Sequence, residues 1–208
     1  MSFKVAREGV PFVLVPAGIA VALAVLGKRR GAAPFALASL AAAGFFRDPD
    51  RYPPPVEGAV LAPADGRVTS IERILDPFVG DAVQLSIFLS PLDVHVNRAP
   101  IRGVVVAKQY IPGQFRPAYR RESGSANERC VLHIQGADAR VAVTQVAGVL
   151  ARRIVCRVSP GDELEAGQRF GLIRFGSRTS VCVPRSTDIK VLEGQAVRGG
   201  ESVIGVIR

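Results

Sequence analysis

The chain has 208 residues, enough for one ordinary domain with an appendage. Lysine and arginine outnumber acidic residues by 27 to 18, and the formal charge of +9 suits nucleic acid, an anionic membrane surface or a phosphate-bearing substrate. Aromatic residues make up only 6% of the chain and no stretch alternates them with basic residues, so nucleic acid is disfavoured as a partner.

The N-terminal part carries two long uncharged stretches between basic residues. Val10–Gly27 is followed by a Lys-Arg-Arg triplet and is long enough to cross a hydrocarbon core of about 30 Å. Gly31–Phe46 is shorter and rich in alanine. We therefore expect residues 1–47 to form a membrane-associating helical hairpin that enters or lies in one leaflet. A cleavable secretory signal and a buried pair of soluble helices are the alternatives.

Residues 48–208 are predicted to form a second, mainly β domain. The segment D-P-D-R-Y-P-P-P at 48–55 cannot continue a helix and indicates a stiff linker. Short β-type runs then follow one another, punctuated by glycine and proline, which is typical of a barrel or sandwich. These runs are Val60–Ala62, Arg67–Ile74, Ala82–Leu89, Gly103–Ile111, Cys130–Ile134, Arg140–Val149 and Arg153–Val158.

An internal repeat lies in the C-terminal quarter. Two segments share glycines six residues apart, Gly161 with Gly167 and Gly194 with Gly200, each pair with an apolar residue midway. This pattern resembles the pseudo-symmetric halves of lipoyl and biotinyl carrier domains, which carry a modified lysine on the hairpin between the halves. The corresponding region here has no lysine, so a carrier function is disfavoured.

The region between the repeats is predicted to be a strand, a tight turn and a strand. Phe170–Phe175 and Val181–Val183 are β-type runs, and Gly176 and Ser177 form the polar break between them. Two interpretations of Ser177 stand at this point: an ordinary turn residue, or a nucleophile on a strained turn.

Other residues suited to chemistry are few. Asp65 lies in a turn in A-P-A-D-G-R-V, and His95, in S-P-L-D-V-H-V-N-R, is the best candidate for a base near neutral pH; His133 is the only other histidine. Cys130, Cys156 and Cys182 are widely spaced in apolar surroundings, so we expect buried free thiols rather than disulfides or a metal site.

Five motifs occur in order between about residue 50 and the C-terminus: A-D-G-R-V, S-P-L-D-V-H-V-N-R, P-G-x-F, N-E-R and R-F-G-S-R. Together they resemble the phosphatidylserine decarboxylase proenzymes, in the short prokaryotic form, which also suits an apolar N-terminus. The polar stretch between P-G-x-F and N-E-R is long enough to be a lid or binding loop.

The resemblance implies a self-processing enzyme. Ser177, activated by His95 and Asp65 in a triad, would attack the carbonyl of Gly176, and the chain would separate into residues 1–176 and 177–208. Ser177 would become an N-terminal pyruvoyl group, a covalent cofactor made from the protein itself. This group would form a Schiff base with phosphatidylserine and release CO2, giving phosphatidylethanolamine. The two fragments would remain partners in a heterodimer.

Further roles are implied for the substrate site. His95 is the expected proton donor after decarboxylation, and Arg98, Arg102 and Arg116 are candidates for binding the lipid phosphate. The enzyme is expected at the cell membrane, on its cytoplasmic face. Longer relatives carry a second histidine where Arg98 stands, so either His95 serves both reactions or another group takes one of them.

Two alternatives remain open at this point. The same reaction could act on an archaeal ether-linked serine phospholipid, because the sequence identifies no residue that would recognise the part of the lipid distant from its headgroup. A membrane-anchored, lipoyl-like scaffold domain without chemistry is the alternative from another class. Higher oligomers are compatible with either.

Overall fold

The computed structural model of the chain describes residues 4–116, 126–148, 153–174 and 177–207, and Ser177 for its main chain only. The chain divides into two compact units, one ending at Asp50 and the other beginning at Arg51. The predicted lid lies largely outside the described residues, and so does Gly176.

The first unit is a pair of helices. A 3-10 turn (Arg7–Gly9) leads into α1 (Val10–Val25), and a short turn connects it to α2 (Arg29–Phe45). The turn contains Gly27, whose φ of 75° lies in the left-handed region that glycine enters without strain. The Ser39 hydroxyl donates to the Val13 carbonyl at 2.8 Å and joins the two helices. The predicted apolar helical hairpin is therefore confirmed.

Apolar side chains cover the outside of this unit. The segment Arg7–Val25 has a mean hydropathy of 2.0 and is, by length and composition, the one described helix able to cross a membrane. Only 11% of its most apolar window is buried within the protein. Side chains more than 60% exposed are Leu14, Val15, Val21, Val25, Leu26, Leu37 and Leu40.

The second unit is built from short strands. In the described residues they are β1 (Ala59–Leu61), β2 (Gly66–Asp76), β3 (Gly80–Leu89), β4 (Val96–Arg98), β5 (Gly103–Ile111), β6 (Arg129–Gln135), β7 (Arg140–Val146), β8 (Arg153–Cys156), β9 (Glu163–Leu164), β10 (Arg169–Arg174), β11 (Ser177–Pro184), β12 (Asp188–Ile189), β13 (Ala196–Val197) and β14 (Val203–Val206).

These strands form three antiparallel sheets. The largest has the order β13-β2-β3-β11-β7-β6-β5-β9 and curls into a half-barrel, and the smaller ones have the orders β4-β10-β8 and β1-β14-β12. Burial alternates strictly along β6, so one face of that strand packs on the core. Phe170, Leu85 and Ile87 are completely buried in this core. The prediction of a mainly β, barrel-like fold is confirmed.

The repeat has a clear structural cause. Gly161, Gly167, Gly194 and Gly200 all have positive φ, between 78° and 96°, so each repeat turns at both of its glycines. The two-residue strands β9 and β13 lie between these turns and pair with β5 and β2 respectively. The predicted pseudo-symmetry of the two halves is therefore present in the fold.

The two strands predicted on either side of Gly176 are present, but they do not pair with each other; the predicted turn between them lies outside the described residues. β10 pairs with β4 and β8, whereas β11 pairs with β3 and β7 in the eight-stranded sheet. Each strand is buried and finds partners on both sides, so the chain passes from one sheet to another. Ser177 is the first residue of β11.

Candidate active site

Ser177 begins a strand in the middle of the large sheet. Its main chain lies opposite Leu89, the last residue of β3, and the next residue, Arg178, lies opposite Val146, the last residue of β7. The start of β11 and the ends of its two neighbours therefore meet at one edge of the sheet.

His95 is held beside this edge by three connections. The loop from Ser90 to Val94 leads directly from Leu89 to His95. The His95 carbonyl accepts a hydrogen bond from the Ile173 amide at 3.2 Å, only four residues before Ser177. Asn97, two residues after His95, donates through Nδ2 to Thr179 Oγ1 at 3.1 Å, and Thr179 lies two residues after Ser177. These connections place the segment that contains His95 at the end of the sheet where β11 begins.

The His95 ring has a defined tautomer. Its side chain is buried, with 2% of the residue exposed, and Nδ1 lies 2.9 Å from the Asp93 carbonyl. Because a carbonyl only accepts hydrogen bonds, Nδ1 donates and the neutral ring carries its lone pair on Nε2. The Asp93 carboxylate in turn accepts from the amide and the hydroxyl of Ser90, both at 2.7 Å, and shapes the turn before His95.

A buried polar network underlies the candidate site. Gln145 on β7 donates through Nε2 to Asn97 Oδ1 at 2.8 Å, and Asn97 donates to Thr179 on β11. All three residues are at most 1% exposed. Gln145 Oε1 is buried and has no hydrogen-bond partner among the residues that the structure describes. Sequence reasoning missed this network, whose only visible signal is that Asn97 shares a motif with His95.

Ser180 and Cys182 replace the acidic residue and the aromatic that the resemblance places after the serine. Ser180 Oγ lies 3.1 Å from Ser86 Oγ on the neighbouring strand, and Ser86 also accepts from Arg178 Nη2 at 2.9 Å. The Cys182 thiol lies 3.6 Å from Gln84 Oε1. Both Ser180 and Cys182, which differ from the residues that the resemblance implies, therefore have polar partners on β3.

Asp65 has strong partners of its own. Its Oδ2 accepts from Arg51 Nη2 at 2.9 Å and its Oδ1 from the Gly199 amide at 2.7 Å. Arg51 also pairs with Glu201 at 2.6 Å, and its side chain is only 10% exposed. The Asp65 segment reaches the strand after His95 through a bond from the Arg98 amide to the Pro63 carbonyl at 2.9 Å. An interaction of Asp65 with the His95 ring stays a prediction.

The three candidate arginines lie in different places. Arg98 is buried and donates to the Gly167 carbonyl at 3.0 Å. Arg102 is exposed, pairs with Glu165 at 3.4 Å and lines a cavity of about 660 Å³. That cavity also borders Gln135, at the far end of β6 from the candidate site, about 20 Å away along the strand.

Arg116 lies at the same edge of the sheet as Ser177. Asn127 is completely buried and accepts from the Arg116 amide at 3.0 Å, while its Nδ2 donates to the carbonyls of Arg116 and Ala147, both at 2.8 Å. A Cβ on Gly113 would lie 2.5 Å from the Asn127 carbonyl carbon. The P-G-x-F and N-E-R motifs therefore fasten both ends of the predicted lid to β7.

Comparisons with known proteins agree with this arrangement. A family model described as phosphatidylserine decarboxylase matches residues 39–205. A phosphatidylserine decarboxylase proenzyme of Symbiobacterium thermophilum is 48% identical, over 97% of this chain and 94% of the relative. Proenzymes of the same name from Nitrosomonas europaea and Burkholderia ambifaria are 41% and 40% identical, each over 96% of this chain and 94% of the relative.

Proposed function

Because the chain belongs to the phosphatidylserine decarboxylase family, we propose that it cuts itself and then converts phosphatidylserine to phosphatidylethanolamine with release of CO2. The single observation that carries the proposal is that His95 is buried on a segment hydrogen-bonded to Ile173, shortly before Ser177, and through Asn97 to Thr179, shortly after it. A base is needed at that position, since the serine hydroxyl is a weak nucleophile by itself.

Self-cleavage begins with proton removal from the Ser177 hydroxyl. Nε2 of His95 takes this proton, since the Asp93 carbonyl keeps the ring hydrogen on Nδ1. The Ser177 oxygen then attacks the Gly176 carbonyl and replaces the peptide bond by an ester. Elimination across Ser177 releases the carboxylate of Gly176, and water releases ammonia, which leaves a pyruvoyl group at the start of the 177–208 fragment.

Asn97 acts as a positioning residue in this step. Its side chain links the strand after His95 to β11 and is fixed by Gln145 at 2.8 Å. A buried network with defined partners holds one geometry better than apolar packing alone. Asn97 therefore keeps the His95 ring aligned with the Ser177 hydroxyl without touching the reacting atoms.

The fold keeps the two fragments together after cleavage. β11 lies between β3 and β7 of the large fragment, β13 pairs with β2 and β14 pairs with β1, so each of these strands of the small fragment is hydrogen-bonded to the large one. The ion pair of Arg51 with Glu201 and the hydrogen bond from the Gly199 amide to Asp65 also join the two fragments. Cleavage therefore produces a heterodimer rather than two separate chains.

The surroundings of Ser177 fit a pyruvoyl group. Such a group supplies a carbonyl that takes the substrate amine and accepts the electron pair left when CO2 departs. The network beside it contains buried amide and hydroxyl groups and the unpartnered Gln145 Oε1, which can accept from a donor arriving with the substrate. His95 holds the proton that replaces the carboxylate, and burial keeps bulk water away from it.

Arg116 is the best placed of the three arginines to bind the lipid phosphate. It is held at the base of the predicted lid and lies at the same edge of the sheet as Ser177. The exposed apolar helices of the first unit, with the basic triplet at 28–30 between them, bind an anionic membrane surface on the cytoplasmic face.

The test uses vesicles containing phosphatidylserine and chromatographic detection of phosphatidylethanolamine. Wild-type protein should produce phosphatidylethanolamine, whereas Ser177→Ala should stay a single uncut chain without activity. His95→Gln should cut itself at least about 100-fold more slowly, because a general base contributes on the order of 10²–10⁴ to such a step. His133→Gln is the matched histidine control and should be cut normally. Decarboxylation by uncut Ser177→Ala would overturn the proposal.

A further inference from the structure

Two of the three cysteines form a pair. Cys130 lies on β6 of the large sheet and Cys156 at the end of β8. Gln145, which lies opposite Cys130, donates through Nε2 to the carbonyl of Val155, the residue before Cys156, so the two cysteines are close in the fold. Both are free in this structure. Cys130 is buried as predicted, whereas Cys156 is only partly buried, on an edge strand of four residues.

The surroundings of Cys156 stabilise a thiolate. The neighbouring Cys130 thiol and the Val158 backbone lower the pKa of the Cys156 thiol, against the opposing effect of burial. The Lys108 ammonium donates to the Val158 carbonyl at 2.6 Å and adds a positive charge nearby. The same contact with Cys156, together with burial, raises the pKa of Cys130.

Cys182 provides an internal contrast. It is buried on β11, and burial, together with the nearby Asp76 carboxylate, raises its pKa to about 12. Its thiol therefore stays protonated and inert at neutral pH. The chain thus combines an activated thiol, an adjacent second thiol and an unreactive one.

We propose that Cys156 is a site of oxidation by peroxides and that Cys130 resolves it into a disulfide joining β8 to β6. The Cys156 thiolate attacks one peroxide oxygen, the O–O bond breaks, and hydroxide leaves, so that the sulfur becomes a sulfenic acid. Cys130 then loses its proton, its sulfur attacks the Cys156 sulfur, and the sulfenic oxygen leaves as water. Two thiols are oxidised and one peroxide is reduced to two waters.

The disulfide would lie next to the network at the candidate site. Cys130 is opposite Gln145 in the register of β6 and β7, and the Val155 carbonyl accepts from Gln145 Nε2 at 3.3 Å. The oxidation chemistry itself does not depend on the proposed decarboxylase function, and it can be measured on uncut or cut protein. Failure of one proposal therefore leaves the other intact.

The experiment treats purified full-length protein with hydrogen peroxide at neutral pH, then blocks free thiols and maps the peptides by mass spectrometry. We expect a Cys130–Cys156 disulfide, seen as the loss of two hydrogen atoms, while Cys182 remains a thiol. Cys130→Ser should stop at a sulfenic acid on Cys156 that dimedone traps, and Cys182→Ala should behave like wild type. Because Cys130 lowers the pKa of Cys156, alkylation of Cys156 by iodoacetamide should reach its half-maximal rate at a higher pH in Cys130→Ala than in the wild type.

Two results would overturn the proposal. One is that peroxide leaves Cys130 and Cys156 as thiols over the time in which a free model thiol is oxidised. The other is that the three cysteines react at equal rates, which would show that their surroundings do not select Cys156. Lys108→Gln tests the charge separately: it should raise the pH at which Cys156 reacts half-maximally, and an unchanged pH would count against the proposed cause.

Discussion

Asn97→Ala tests the link between the two strands that meet at the candidate site. The substitution removes the hydrogen bonds to Thr179 Oγ1 at 3.1 Å and from Gln145 Nε2 at 2.8 Å, both in a completely buried position. Each bond contributes about 1 kcal/mol net, and the small cavity left behind adds to the loss. We therefore expect the free energy of unfolding to fall by about 2–4 kcal/mol.

The rate of self-cleavage in Asn97→Ala should fall by more than the loss of stability alone explains. If the His95 segment moves by about 1 Å relative to Ser177, the rate falls by on the order of 10²-fold. The assay follows conversion of newly synthesised precursor on a denaturing gel, under conditions in which a parallel denaturation experiment shows the variant folded. Asn97→Asp keeps the shape and the acceptor for Gln145, so it should recover part of the rate.

Ser70→Ala is the matched control for this experiment. Ser70 is 1% exposed and its hydroxyl has no hydrogen-bond partner in the described part of the chain, so the change removes a buried polar group without breaking a bond seen there. We expect normal cleavage and an unchanged or slightly higher stability. Cleavage of folded Asn97→Ala at the wild-type rate would refute the positioning role and leave Asn97 a purely structural residue.

Three further changes have defined outcomes. Arg51→Met should lower the free energy of unfolding by about 2–4 kcal/mol, because it leaves the carboxylates of Asp65 and Glu201 without their cation. Arg185→Met is the control: it removes an exposed ion pair and should lower the free energy of unfolding by less than about 1 kcal/mol. Burial lowers the pKa of His133, so the unfolded chain binds this proton more readily and stability should fall as pH decreases from about 6.5; His133→Gln should flatten that slope in denaturant titrations. Arg116→Gln should raise KM for phosphatidylserine vesicles with kcat little changed, and Arg102→Gln should change neither.

The strands were the most predictable part of this chain. Gly103–Ile111 was predicted with the bounds that β5 has, because glycine and proline mark its two ends. β4 was not predicted, because a strand of three residues is too short to show an alternation of apolar and polar side chains. Its Asn97 and Arg98 are also polar although they are buried. The partners of β10 and β11 were not predicted, because local patterns do not specify which sheet a buried strand will join.

The candidate site was only partly predictable for the same reason. His95 and Ser177 were found from their motifs, whereas Gln145 comes from a third strand that only the fold brings to Asn97. Arg51 lies in a proline-rich segment that indicates a linker, yet its side chain is buried between two carboxylates. Such pairings depend on long-range topology, which the sequence pattern does not contain.

The intact mass of the purified wild-type protein tests the central claim most directly. We predict two polypeptides that separate under denaturing conditions, comprising residues 1–176 and 177–208, with the smaller one lacking a free N-terminal amine. A single full-length chain in an active preparation, or a small fragment that begins with an unmodified serine, would contradict the account.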